Sequence, residues 1–278
     1  MATVQRFIVS STIYRFPTFM LWQLGYNQRM KPQFFTASSG RQIAYSRTLG
    51  EGPGVLFCCG YRSDMGSTKA TAIAEWCAAR NVTFTRFDYH GHSKSEGDFK
   101  EFTIGGAMQD TLDVIDEITK GPQIIIGSSM GAWVALHAAK ERKSAIRAFI
   151  GVAPAPDFTE RLMYPRMSPE QRREIEDEGV IWAHSEMTDS DYPITWNFIT
   201  EARNHLMLDD VIGLDIPVQL FHGQMDDSVP WEHSLLLMKQ LTGDEVNATF
   251  IKDGDHRLNR PADLQLMLDA LGRMLQGI

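Results

Sequence analysis

Apolar residues along this chain follow two alternating rhythms. Segments dominated by apolar and β-branched residues stand at Gly54 to Cys59, Val82 to Tyr89, Ile124 to Ile126, Ile146 to Ala153, Pro217 to Gly223 and Val246 to Lys252. Such short segments, rich in β-branched side chains, predict strands buried on both faces. Between them, apolar residues recur three or four apart. Examples are Ile73, Trp76 and Cys77, then Met108, Leu112, Ile115 and Ile118, and finally Leu264, Met267, Leu268 and Leu271. That spacing lines one face of a helix. Two further strands, Gln33 to Ala37 and Arg41 to Arg47, flank the turn Ser38-Ser39-Gly40. Strand and helix alternate, so the pattern predicts a mostly parallel sheet with helices on both faces.

The alternation lapses between about Asp157 and Leu214, where no convincing strand can be read. Ser168-Pro169-Glu170-Gln171 has the form of a capping box with proline at the first helical position, and helices are expected over Pro169 to Asp177 and Thr195 to Asn204. This piece is read as a small helical cap inserted between two sheet strands. It is rich in large apolar residues: Met163, Met167, Trp182, Met187, Trp196, Phe198 and Met207. They either glue the insertion to the core or line an apolar pocket, for which Trp182, Met187 and Trp196 are the candidates.

Composition narrows the class. A chain of 278 residues, 43% hydrophobic and 22% charged, is long enough for one large α/β domain and too apolar for disorder. Its net charge of -8 leaves no basic excess for phosphates, which argues against nucleic acid as a partner. The three cysteines, Cys58, Cys59 and Cys77, are odd in number and lack metal-ligand spacing, so they read as buried apolar residues in a reducing compartment. No acidic residue precedes Glu51, whereas Arg6, Arg15, Arg29, Lys31, Arg41 and Arg47 do. An acid-free start bearing arginine and hydroxyls is the composition of an organelle transit segment, expected over residues 1–31 and directing the chain to mitochondria; a packed arm on a cytoplasmic protein is the alternative. The stretch from Phe16 to Leu24 is too short for a membrane span.

The candidate chemistry sits at Gln123 to Trp133. There Gly127-Ser128-Ser129-Met130-Gly131 matches G-x-S-x-G between a predicted strand and a predicted helix. In that context the motif is a sharp turn that lifts one serine, Ser129, above the sheet. Glycines suit it because a Cβ at either position would collide with its surroundings. A serine nucleophile needs a base, and the base an orienting carboxylate, in the chain order serine, acid, histidine. His222-Gly223-Gln224-Met225-Asp226-Asp227-Ser228-Val229-Pro230 follows a strand and offers Asp226, with Asp227 as the alternative. Of eight histidines, His256 alone combines the right order with a place beyond the last strand. His222 precedes the acid and was therefore a poor base on order alone. Ser93, in Gly91-His92-Ser93, lacks the second glycine and comes too early. The backbone N–H groups of Met130 and Tyr61 are the expected oxyanion donors: one opens the helix after Ser129, the other follows the strand ending near Gly60.

GSSMGAW, HGQMDDSVPW and DGDHR resemble the motifs of the α/β-hydrolase superfamily. CGYRSDMGSTKATAIAEWC and TRFDYHGHSKSEG are more specific and are similar to a mitochondrial branch of acyl-protein thioesterases and acyl-glucuronide deacylases; the likeness runs from about Gln33 to the C-terminus. Departures are the Cys58-Cys59 pair, where a proline often stands, and a start that is not plainly cleavable. The resemblance implies an α/β-hydrolase fold over residues 32–278 with a cap at about 158–214, a Ser129–Asp226–His256 triad, and no metal or organic cofactor. It implies as substrates acylated protein cysteines and small-molecule acyl esters. Other readings of the same triad are a general carboxylesterase or lipase and a carbon–carbon bond hydrolase. A dehalogenase would carry aspartate in place of Ser129. A non-catalytic binding protein would usually have lost a triad member.

Overall fold

The computed structural model describes residues 31–185 and 189–277. The expected transit segment, apart from Lys31, and Met187 lie outside the described residues. The chain opens with β1 (Gln33–Thr36) and β2 (Gln42–Thr48), an antiparallel pair. Next come β3 (Glu51–Cys58), α1 (Thr68–Ala79), β4 (Val82–Phe87) and α2 (Ile104–Asp113), which runs on through a wide turn to Ile118. β5 (Gln123–Ser128) leads into α3 (Met130–Glu141), and β6 (Ile146–Val152) follows. After the inserted residues come β9 (Val218–Gly223), α6 (Glu232–Gln240), β10 (Val246–Ile251) and α7 (Pro261–Gly277). The insertion itself holds α4 (Pro169–Glu178), the strands β7 (Val180–Ser185) and β8 (Ser190–Thr195), and α5 (Trp196–Ala202).

Eight strands form one sheet in the order β1-β2-β4-β3-β5-β6-β9-β10. From β4 to β10 every neighbouring pair is parallel; only β1 and β2 run against their neighbours. The near-continuous apolar strands predicted this arrangement, because a strand covered by helices on both faces has no polar side to show. α3 lies at its centre. Four alanines, Ala132, Ala135, Ala138 and Ala139, let it approach the sheet closely, and Trp133 is among the largest fully buried side chains. A helix apolar on nearly every side belongs inside a domain, and the residue that begins it is thereby held firmly.

The insertion differs from expectation in one respect. The expected helix at Pro169 is present, with both hydrogen bonds of its capping box. However, β7 and β8 form an antiparallel hairpin, pairing Val180 with Thr195 through Ser185 with Ser190, in a stretch where no strand was legible. The reason is that only Ile181, Ile194 and Ser185 are buried in this ribbon, while Asp191 and Pro193 interrupt any apolar run. Ile181 and Ile194 pack with Met167, Ile175 and Ile199 in a small core separate from that of the sheet.

Candidate active site

The turn from β5 to α3 is tight by construction. Ser129 sits at φ 55 and ψ −122, a backbone region that L-residues avoid and that stores strain. Its N–H donates to the Val152 carbonyl at 2.9 Å, tying the turn to β6. A Cβ at Gly127 would lie 2.4 Å from Ala132 Cα, in the helix that follows, and one at Gly131 would lie 2.2 Å from the Cys58 carbonyl oxygen of β3. Both glycines are therefore dictated by close approach, and the turn presents Ser129 Oγ outward.

Two loops at the same edge of the sheet meet this hydroxyl. After β10, His256 brings Nε2 to 3.1 Å from Ser129 Oγ. After β9, Asp226 places Oδ2 at 2.6 Å from His256 Nδ1. Facing a carboxylate, Nδ1 carries the proton, which leaves the Nε2 lone pair toward the serine. The other carboxylate oxygen accepts from the backbone N–H groups of Ser228 (2.9 Å) and Val229 (2.8 Å). Burial alone would raise the Asp226 pKa. Hydrogen bonds from His222 and His256, the charge of His256 and the Val229 N–H outweigh it and hold the carboxyl well below its usual range. Asp226 thus stays ionised across the range in which enzymes work. Its neighbour Asp227 is exposed and has no part in this line. The structure brings Ser129, His256 and Asp226 together in one hydrogen-bonded line.

The two expected oxyanion donors flank the serine. The N–H of Met130 opens α3, where it has no intrahelical acceptor and sits at the positive end of the helix dipole. Tyr61 follows Gly60 at the end of β3, and its ring lies flat on Phe198 of α5, with centroids 5.0 Å apart and planes 9° apart. The preceding turn is braced from below: Asp88 accepts from Met65 N–H at 2.7 Å, and His90 pairs with Asp110 at 2.6 Å. The turn Asp88-Tyr89-His90-Gly91 therefore supports the site, as read from the sequence, while Ser93 is exposed beside it.

The pocket residues require correction. Ser129 and His256 open on a cavity of ≈ 490 Å³ whose wall includes Arg62, Ser63, Lys69, Arg257 and Asn259, and neither Trp182 nor Trp196 lines it. Trp182 is 57% exposed, with the Lys100 ammonium 5.2 Å from its ring. In a strand successive side chains face opposite ways, so burying Ile181 turns Trp182 to solvent. Trp196 packs into the small core of the insertion, 5.7 Å from the Tyr164 ring. Phe198 reaches the Tyr61 turn, as do Phe158 and Tyr192 of the insertion, whose rings lie 6.0 Å and 6.4 Å from that of Tyr61. Two steps along α5 from Trp196, Phe198 lies on the other side of the helix.

Lys69 went unread in the sequence. It is buried in the first turn of α1, and its Nζ donates to the Arg257 carbonyl at 2.5 Å and to Asn259 Oδ1 at 3.4 Å, gripping the loop just beyond His256. Burial, only partly opposed by Asp255 and reinforced by Arg257, pulls its pKa from 10.5 down to about 8. Below pH 8 the amine is charged in the folded and unfolded chain alike, and burying it costs folding about 3 kcal/mol. Between about 8 and 10.5 the folded chain releases a proton that the unfolded chain keeps, so this cost disappears as pH rises. Lys69→Met should therefore lack that alkaline gain. In denaturant titrations at pH 7 and pH 10, the stability gap between wild type and mutant should change by up to about 3 kcal/mol in favour of wild type; parallel curves would disprove the assignment.

Among the described residues, no group of three His, Cys, Asp or Glu side chains is arranged to hold a metal ion. No described helix is long and apolar enough to cross a membrane.

A family model described as serine aminopeptidase S33 matches residues 53–187. The mouse mitochondrial palmitoyl-protein thioesterase ABHD10 is 36% identical over 261 residues, covering 94% of this chain and 88% of its own. Its solved structure superposes with a TM-score of 0.82 at 35% identity, over 89% of this chain and 99% of that one. A solved hydrolase from Agrobacterium vitis S4 gives a TM-score of 0.85 at 33% identity, covering 88% and 98%.

Proposed function

This chain belongs to the α/β-hydrolase family that includes ABHD10 and is a serine hydrolase; on that premise, we propose that it cleaves acyl thioesters, S-acylated protein cysteines among them, through an acyl-enzyme on Ser129. The observation that carries this reading is the unbroken hydrogen-bonded line from Asp226 through His256 to Ser129 above a strained turn. His256 takes the proton of Ser129 as Oγ attacks the acyl carbonyl, and Asp226 holds the imidazole in its tautomer and stabilises its charged form. The N–H groups of Met130 and Tyr61 receive the developing oxyanion. The leaving group departs, and a water activated by His256 releases the acid. A cysteine thiolate, with a parent thiol pKa of about 8.5, leaves with less help from the imidazolium than an alkoxide needs. The relatives named mitochondrial support the same compartment for this chain; a cytosolic distribution of the tagged full-length chain would refute that.

A second substrate class, acyl-glucuronide esters, is favoured by one observation. Arg62, Lys69 and Arg257 line the cavity beside Ser129, and cations there suit a sugar carboxylate. One experiment tests both substrate classes: a palmitoylated cysteine peptide, the matched serine oxyester and an acyl glucuronide, run beside fluorophosphonate labelling of the same preparation. The thioester should turn over faster than the oxyester, with labelling of wild type. Labelling without thioester turnover would redirect the function to esters; absence of labelling would remove the hydrolytic mechanism itself.

A further inference from the structure

Asp226 has a second imidazole partner. His222, at the end of β9 and fully buried, brings Nε2 to 3.1 Å from Asp226 Oδ2, the oxygen that also meets His256. Nε2 lies 3.0 Å from the Val229 carbonyl as well. Two acceptors face this nitrogen, so it carries the hydrogen; the other tautomer would press a lone pair against both oxygens. Nδ1 is then an acceptor, and Ser234 Oγ, 2.7 Å away on α6 and itself buried, donates to it. With His222 and His256 on Oδ2 and the Ser228 and Val229 amides on Oδ1, the carboxylate has a donor for each of about four lone-pair positions. We propose that His222 is a positioning residue that fixes Asp226 in line with His256, and that Ser234 holds His222 in the tautomer able to do so.

This inference rests on the triad reading above and adds to it a relay running the other way, from α6 through β9 to the acid. His222 touches no reacting atom. Its N–H shares the negative charge of Oδ2 with His256. Without that donor the carboxylate is free to tilt, and its charge concentrates toward His256. The first change lowers turnover. The second stabilises the His256 imidazolium, so the acid limb of the pH profile moves to higher pH. His233, on α6, is not part of this relay: its Nε2 donates to the Pro156 carbonyl at 2.6 Å.

The test uses the full chain with a thioester substrate and three variants, His222→Phe, His222→Gln and Ser234→Ala. His222→Phe should lower kcat about 10–100-fold, by analogy with the loss on removing the hydrogen-bond partner that orients a metal-ligating side chain. KM should stay close to wild type, and the acid limb of kcat/KM should shift upward. His222→Gln, whose amide N–H can reach the place of Nε2, should recover most of both effects. Ser234→Ala should shift the limb in the same direction by less. A packing role alone would scale the rate and leave the limb where it is, so an unmoved limb in His222→Phe overturns the proposal. Should that variant not fold, an unmoved limb in Ser234→Ala overturns it instead. Nitrogen chemical shifts of His222 report its tautomer independently of activity, and a proton on Nδ1 would overturn the proposal too. A wild type that neither labels nor turns over substrate would instead sink the triad reading.

Discussion

Ser129→Ala should lower kcat for an acyl thioester by about 10⁶-fold, the size of effect that follows loss of the nucleophile in a serine–histidine–aspartate site. Among the described residues, Ser129 Oγ is the serine hydroxyl hydrogen-bonded to His256 Nε2, at 3.1 Å. What remains is a solvent-like reaction helped by the oxyanion donors and by binding, worth about 10³–10⁴ over water. The fold should be indifferent, because alanine at φ 55 is strained as serine is. Wild type and Ser129→Ala should therefore share a denaturant midpoint while fluorophosphonate labelling disappears. Retention of a tenth of wild-type turnover would mean another nucleophile, and Ser93→Ala is the control that should change nothing.

The largest effect on stability should come from Gly131→Ala. In a helix, alanine is ordinarily preferred to glycine by about 1 kcal/mol, so propensity alone predicts a gain. Here the added methyl would sit 2.2 Å from the Cys58 carbonyl oxygen and 2.3 Å from that of Cys59. Both are backbone atoms, the first at the end of β3, held between β4 and β5, and the second just beyond it, and they lead directly into the turn that bears Tyr61. Neither can yield without separating α3 from the sheet. A cost of more than about 4 kcal/mol is expected, enough to remove much of the stability of an ordinary domain. Urea titration of the soluble fraction would measure it. Gly213→Ala, where a Cβ meets nothing within 4 Å, should stay within about 0.5 kcal/mol of wild type. Equal effects at the two positions would refute the steric account.

The parallel core was legible because burial on both faces writes itself into composition, as in Gln123-Ile124-Ile125-Ile126. The order of Ser129, Asp226 and His256 was legible because each stands at the end of a strand that could be recognised. The hairpin at 180–195 was not, since a ribbon that buries only Ile181 and Ile194 on one face carries a weak alternating signal. The size of Trp182 and Trp196 and their place in the insertion suggest a pocket, yet size does not say which way a side chain faces. The role of His222 is not legible because chain order tells which histidine can serve as base and is silent about what holds the acid. Lys69 escaped notice because a lysine in a helix ordinarily reads as solvated surface, and its grip on Arg257 spans 188 residues.

The flat contact between Tyr61 and Phe198 also bears on how this protein can be re-engineered. Tyr61 belongs to the turn after β3 and Phe198 to the insertion, so the two halves of one stacked pair lie on opposite sides of any splice made to exchange residues 158–214 with a relative. A chimera that loses the ring at position 198 takes away the stacked one of the aromatic contacts that hold the Tyr61 ring. Its lowered turnover would then be misread as poor substrate fit. Grafts that carry an aromatic residue at 198 separate the two causes, and they set the minimum unit by which specificity can be transplanted in this scaffold.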